Sequence, residues 1–418
     1  MKQLTRRGLV GAGLVAASAA QAAPGLSTAL ATDQAYWSKI AAQFDVTGEV
    51  VQLENGNWGM MAKPVLRAYE RHLEMVNRRT SYYSRRDYDG DLAKVRTRVA
   101  ASLGVGEDEI AFTRGATEAL QCLIGGYNRL RPGDAVLYAD LDYDSLQTAM
   151  RWLQGRRGVE VVKIDLPEPA THQGLVDAYA AALAANPKVR LILLTQVSHR
   201  NGLVLPVAEI SAVARAHGVD VILDSAHAWG QLDMRLPDLG PDFIGLNGHK
   251  WIGAPVGVGV LYVRRDRIGD IDPYMGEDGV AAGDIRARVH TGTANFAAYL
   301  TVPDALDFHE AIGVAAKAAR LARLRDLWTE PLRGVRALEI LTPQDKRLTS
   351  GIGAFRLRGV TGARENALLA RRLLEQFGVF TVHRTGLAHG ACLRVTPGVF
   401  TAEADIARLV SAVKSLAA

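Results

Sequence analysis

From about residue 109 the chain alternates short apolar runs with stretches of helical period. Glu109–Thr113, Ala135–Ala139, Val159–Ile164, Val189–Thr195, Val219–Asp224, Asp242–Leu246 and Val256–Val263 are apolar runs of strand length. Between several of them, Ala116–Arg129, Ser145–Gln154, Val176–Ala185 and Val207–His217 carry apolar residues three and four apart. This alternation predicts an α/β domain with a mostly parallel, seven-stranded sheet covered by helices on both faces. Arg131-Pro132-Gly133-Asp134 and Ala216-His217-Gly218 read as turns that stop one element and feed the next.

After Thr301 the pattern changes. One long helix is expected over Pro303–Leu327, with Pro303 in its first turn. Short strands follow near Gly353–Leu357, Val379–Val382 and Cys392–Val395, and a final helix over Ala402–Leu416. These predict a smaller α+β domain at residues 301–418. The large domain then takes residues 63–300, and residues 32–62 form a segment that joins the small domain.

Residues 1–31 are expected to be an address. Met1–Arg7 is basic, Gly8–Ala23 is an uncharged run rich in Gly and Ala, and Ala20-Gln21-Ala22 and Ala29-Leu30-Ala31 offer cleavage sites. Thr5-Arg6-Arg7-Gly8-Leu9-Val10 adds the arginine pair of a twin-arginine (Tat) signal. The run is too short and too rich in Gly for a good spanning helix. The expectation is therefore a periplasmic protein without stable membrane association once the signal is cleaved. Composition agrees with a folded chain: 418 residues, 48% hydrophobic and 22% charged. Of the formal net charge of +5, Lys2, Arg6 and Arg7 supply three units, and the remaining +2 gives no electrostatic case for a nucleic-acid partner. Two cysteines exclude a disulfide scaffold and a four-cysteine zinc site, and no metal ligand set is expected.

The chemistry lies on one sheet edge. Val219-Asp220-Val221-Ile222-Leu223-Asp224 is an apolar strand that ends in a carboxylate, followed by Ser225-Ala226-His227. One strand later comes Asn247-Gly248-His249-Lys250-Trp251. Ligands of open α/β sheets sit beyond the carboxyl ends of the strands, so Asp224 and Lys250 can grip opposite ends of one planar ligand. Pyridoxal 5'-phosphate needs that pair: a lysine for the Schiff base, and an acid that keeps the ring nitrogen protonated. Phe112-Thr113-Arg114-Gly115-Ala116-Thr117-Glu118 runs from strand to helix through small residues and supplies a phosphate cradle at a helix N-terminus. A dinucleotide site would need two more glycines there, so that class is set aside. A binding protein that keeps this fold without the chemistry is the non-enzymatic alternative.

Asp224-Ser225-Ala226-His227, Gly245–Trp251, Ala254-Pro255-Val256-Gly257-Val258-Gly259 and Gly292-Thr293 together resemble the class V aminotransferase-fold enzymes, most closely their isopenicillin N epimerase-like branch. The resemblance runs from about Leu53 to the C-terminus. It implies fold type I of the pyridoxal phosphate-dependent transferases, with Lys250 as the Schiff-base lysine and Asp224 as partner of the ring nitrogen. It places His227 beside the cofactor's phenolic oxygen or phosphate. Gly115, Ala116, Thr117, Asn247 and His249 would hold the phosphate. Thr293 would reach the phosphate of a neighbouring subunit, in a homodimer with active sites at the interface. Tyr143 falls where many relatives stack a histidine on the ring, and His199 stands where the family commonly has an asparagine near the ring oxygen. Arg394 matches the arginine that grips the substrate carboxylate. Asn57 and Arg85 are further candidate substrate contacts, Arg85 as part of a basic, aromatic arm with Arg78, Arg79 and Arg86 around Ser81-Tyr82-Tyr83-Ser84.

The same resemblance leaves the reaction open. Cysteine desulfurases of the family carry a nucleophilic cysteine on a loop before the carboxylate-binding arginine, whereas Cys392 sits two positions from Arg394 and Cys122 lies in an apolar helix. Transamination needs Lys250 alone as proton carrier. Epimerisation wants a second acid, for which Tyr143 and His199 are the candidates, and β-elimination of a C–S bond is the third outcome. The favoured expectation is transamination or oxidative deamination of a small amino-acid or peptide-like substrate. An exported, siderophore-tailoring relative suggests a siderophore precursor.

Overall fold

The computed structural model describes residues 29–290 and 292–418. The signal-like segment, to residue 28, lies outside the described residues. Chain order begins with helix α1 (Gln34–Ala41), the two-residue strand β1 (Val51–Gln52), and helices α2 (Lys63–Arg86) and α3 (Tyr88–Leu103). The large sheet and its helices follow: β2 (Ile110–Thr113), α4 (Ala116–Gly126), β3 (Ala135–Ala139), α5 (Asp144–Arg157), β4 (Glu160–Ile164), α6 (His172–Ala185), β5 (Val189–Thr195), α7 (Val207–Ala216), β6 (Asp220–Ser225), β7 (Phe243–Asn247) and β8 (Gly259–Val263).

These strands form one seven-stranded sheet in the order β2-β8-β7-β6-β5-β3-β4. Only β8 runs antiparallel to its neighbours; the pairs β3–β4, β3–β5, β5–β6 and β6–β7 are parallel. Both faces are buried, which explains why the strands read as continuous apolar runs. Leu191, Leu193 and Ile222 face one core, with Leu120, Leu123 and Met150 from α4 and α5. Ile192, Leu194 and Leu223 face the other, with Leu175, Tyr179 and Ile210 from α6 and α7.

Beyond the sheet come α8 (Phe296–Leu300), α9 (Val302–Ile312) and α10 (Val314–Arg333). The single helix expected over Pro303–Leu327 is thus two helices. Gly313, at φ 88° and ψ 125°, breaks the run, a conformation that suits glycine and strains any residue with a Cβ. The chain closes with β9 (Leu338–Ile340), β10 (Gly353–Leu357), α11 (Ala363–Phe377), β11 (Val379–Phe380), β12 (Val382–Arg384), β13 (Cys392–Val395) and α12 (Glu403–Ala417). A four-stranded antiparallel sheet, β12-β13-β10-β9, packs through Phe355, Leu393 and Val395 against Leu324, Trp328, Leu369 and Leu409. The expected strand over Val379–Val382 is two strands, because Val379 and Phe380 leave that sheet to pair in parallel with Val51 and Gln52. That pairing, and a bridge between Glu54 and Thr396, tie the N-terminal segment to this half of the molecule.

Candidate active site

The carboxyl ends of β2, β5, β6 and β7 open on a cavity of about 1600 Å³. Lys250 lies three residues past β7, where two backbone bonds shape the turn: Gly248 N–H to Val258 O (3.0 Å) and Gly59 N–H to His249 O (2.8 Å). A Cβ on Gly59 would fall 1.8 Å from the Lys250 carbonyl, so only glycine lets the N-terminal segment pass this close. The Lys250 amine reaches His227 Nε2 at 3.0 Å, and burial pushes its pKa down to about 8. Asp224, buried at the end of β6, accepts the Ala226 N–H at 2.9 Å, and among the described residues no donor meets its second oxygen. Burial raises its pKa, outweighing the Ala226 N–H and the charge of Lys250, which pull it down.

At the start of α4, Asn247 Oδ1 takes the Ala116 N–H at 2.7 Å, a bond that ties the cradle to the end of β7. Gly115, Ala116, Thr117, Asn247 and His249 all line the cavity. A Cβ on Gly115 would stand 3.2 Å from Asn247 Oδ1 and 3.3 Å from the His249 ring. His249 Nδ1 is bonded to Val258 O (2.9 Å). A side-chain-free turn at a helix N-terminus, a buried amine and a carboxyl short of a partner match the three poles of pyridoxal phosphate.

The structure brings Tyr143, His199, His227 and Asn57 to the same cavity. The Tyr143 ring, 38% exposed, meets His199 edge-on with centroids 5.0 Å apart. His199 Nδ1 is buried without a partner, and burial together with Arg200, Arg394 and Arg384 holds the ring far below its usual pKa. Two expected residues are not brought there. Arg85 is exposed on α2 and does not line the cavity, and the arm it was assigned to is helix, broken only at Thr80. Thr293 is exposed and lies outside the lining of the single chain.

Arg394 is at the cavity, but its guanidinium is already engaged. It is 1% exposed, with Nη2 2.5 Å from Glu54 Oε1 and Nη1 donating to the His199 carbonyl at 2.6 Å. Glu54 also accepts from Thr396 Oγ1 (3.1 Å) and lies 3.4 Å from Arg384. Sequence reasoning missed Glu54, Arg384 and Arg200. The available signal was a charged residue directly after the stretch Val50–Leu53 and an arginine pair ten residues apart, Arg384 and Arg394.

A family model for aminotransferase class V matches residues 60–409. The chain belongs to that family. It is therefore a pyridoxal phosphate-dependent enzyme acting in amino-acid chemistry, and the sheet is that of fold type I. Isopenicillin N epimerase of Streptomyces clavuligerus is 28% identical over 403 residues, covering 91% of this chain and 98% of that one. The Escherichia coli cysteine desulfurase CsdA superposes with a TM-score of 0.76 at 21% identity, covering 91% of this chain and 98% of the other. A mutant of the C-DES enzyme with glycine covalently linked to its PLP cofactor gives 0.77 at 24% identity, over 90% of this chain and 98% of that chain. In this class V chain both thiols are buried and pushed up to about 12, and Cys392 Sγ faces the Arg200 carbonyl at 3.8 Å. Neither is a ready nucleophile.

Proposed function

We propose that this enzyme moves the α-proton of an amino acid or peptide-borne amine with Lys250 and completes a transamination, or an oxidative deamination with dioxygen as acceptor. The observation that carries this reading is the Lys250 amine, buried in the cavity that Asp224 also lines and set 3.0 Å from His227 with its pKa drawn toward neutrality. The bound cofactor supplies an electron sink for the substrate's α-carbon. Lys250 would take and return the proton, Asp224 would hold the ring nitrogen, and Gly115, Ala116, Thr117, Asn247 and His249 would hold the phosphate. Because neither cysteine is an activated nucleophile, sulfur transfer to the protein does not enter the scheme.

Lys250→Ala is expected to abolish both turnover and the visible absorption band of the purified protein. A band unchanged in that variant sinks the cofactor assignment. Amino donors with the wild type are expected to give the pyridoxamine form and a keto acid. Epimerisation is the second reading, favoured by the extent of the similarity to isopenicillin N epimerase and by Tyr143 as a second acid in the cavity. In deuterated water it predicts α-deuterated amino acid of inverted configuration and no keto acid.

The arginine pair Arg6-Arg7 supports export of the folded enzyme to the periplasm, where a peptide-like siderophore precursor is a fitting substrate. Changing both arginines to lysine is expected to leave the enzyme in the cytoplasmic fraction. Equal periplasmic yield would exclude the pathway. The exposed Thr293 is assigned to the phosphate of a partner subunit in a homodimer.

A further inference from the structure

Two segments offer small residues at the first and third positions before a bond where an export signal is cut: Ala20-Gln21-Ala22 and Ala29-Leu30-Ala31. Local pattern does not choose between them. The second lies among the described residues, and the fold has already put it to use.

Each of its three carbonyls is engaged. Ala29 O accepts from the Thr32 N–H at 3.3 Å and from Thr32 Oγ1 at 2.9 Å. Leu30 O accepts from the Asp33 N–H at 3.0 Å and from the indole N–H of Trp37 at 2.8 Å. Ala31 O accepts from Arg320 Nη1 at 3.4 Å, and Ala31 itself is buried. The partners are deep in the molecule: Trp37 is 1% exposed and Arg320 2%, with the guanidinium over the indole, 5.5 Å from the ring centroid. Trp37 and Ile40 share one apolar cluster with Trp251, the neighbour of Lys250. A protease needs an extended chain, open on both sides of the bond, so residues 29–33 would have to leave all these partners first.

Charge argues the same way. Arg320 shares Glu403 with Arg323, at 3.1 and 2.8 Å. A cut after Ala31 would remove the carbonyl that Arg320 reaches and leave the α-ammonium of Thr32 one bond from that spot. A third cation would then crowd one carboxylate, and the buried Trp37 N–H would lose its acceptor.

We propose that processing hydrolyses the bond between Ala22 and Ala23, and that Ala29-Leu30-Ala31 is kept as part of the mature enzyme. This rests on the reading of Arg6-Arg7 as a signal for export of the folded chain, since a chain folded before it meets the protease presents residues 29–33 with their partners in place. A signal peptidase supplies the reaction. Water adds across the peptide bond, Ala22 becomes the carboxylate end of the released segment, and Ala23 becomes the α-ammonium terminus. Ala22 stands seven residues ahead of Ala29, outside the described residues, so this cut preserves every bond described above. Trp37 then stays seated beside Trp251.

The test expresses the full chain in a bacterium with an active twin-arginine pathway and reads the periplasmic product by intact mass and N-terminal sequencing. Loss of the first 22 residues is expected, with Ala23-Pro24-Gly25 at the new terminus. Ala22→Leu is expected to stop that cut without moving it to Ala31. Ala29→Leu, at an exposed position of the other candidate, is expected to leave the mature mass equal to wild type apart from the substitution. A terminus at Thr32 in the wild type or in Ala22→Leu, or loss of processing in Ala29→Leu, overturns the proposal. A full-length chain confined to the cytoplasm strikes the export reading instead, and the cut is then decided in vitro. Folded, cofactor-loaded full-length enzyme incubated with detergent-solubilised signal peptidase is expected to lose 22 residues, and a cut after Ala31, or none, overturns the proposal.

Discussion

An indole N–H only donates, so where Trp251 Nε1 meets His227 Nδ1 at 3.3 Å the ring nitrogen is the acceptor. Burial keeps this imidazole neutral, which puts its one hydrogen on Nε2, 3.0 Å from the Lys250 nitrogen. An amine accepts that hydrogen only when it is itself unprotonated. Trp251 thus favours neutral, nucleophilic Lys250, in the direction that burial already drives it. Trp251→Phe frees Nδ1 to carry the proton and lets Nε2 accept from an ammonium. The rate at which apo-enzyme captures added cofactor is then expected to move its pH midpoint up by about one unit. An unmoved midpoint would show that the tautomer has no hold on Lys250. Asp224, Lys250, Gly115 and Thr117 were legible in the sequence because each belongs to a strand end or turn with a strong local pattern. Glu54, Arg200 and Arg384 were not, because charged residues read as solvated by default and only the fold shows that Glu54 and Arg200 are buried and Arg384 half-buried at the cavity. For the same reason the pairing of Arg394 was not legible: nothing local to β13 announces a carboxylate 340 residues away in the chain.

Most of the strands best anticipated are buried along their length, the edge strand β4 excepted. β3, β5 and β10 lie where their apolar runs begin and end, and β2, β4, β6 and β7 within a residue of it. β1, at two residues, and β9, at three, are shorter than any alternation that pattern reading can detect, and the two residues of β11 were read as part of a longer strand. Within the region from Lys63 to Leu103, the stretch around Arg78–Arg86 was read as a basic, aromatic arm. The region is helical because most of its arginines ride the exposed side while Val65, Ala68, Tyr83, Tyr88, Val95 and Val99 are buried. At Gly313 local chemistry overrides a helical pattern that continues on both sides. A Cβ there meets nothing closer than Ala316 Cβ at 3.8 Å, so the requirement for glycine is conformational rather than steric. Gly313→Ala is expected to cost about 1–3 kcal/mol in urea denaturation, the range for a residue held at an unfavourable φ. An equally stable variant would mean that α9 and α10 tolerate a continuous helix.

Across the whole molecule, the N-terminal segment, α10 and the turn carrying Lys250 meet at a second buried amine. Lys317 Nζ bonds the carbonyl of Trp251, next in sequence to Lys250, and lies 3.3 Å from His309 Nδ1. It is 6% exposed, no carboxylate among the described residues pairs with it, and burial pushes it down to about 7. Unfolding returns it to water, where a lysine titrates near 10.5. Between these values the unfolded chain holds a proton that the folded one has released, so stability must rise with pH through this window. The penalty is complete below about pH 7 and fades on the alkaline side. Buried tyrosines such as Tyr88 and Tyr127 have raised pKa values and act in the opposite direction, but only where free tyrosine ionises, near pH 10 and above. Between pH 7 and pH 9 the lysine term stands clear of them, at on the order of 2 kcal/mol for a single group shifted this far. Denaturant midpoints of the holoenzyme are therefore expected to climb from pH 7 to pH 9, and Lys317→Met is expected to flatten the climb. A variant that keeps the wild-type slope would show that Lys317 is charged in the folded protein, with the Trp251 carbonyl and His309 compensating its burial.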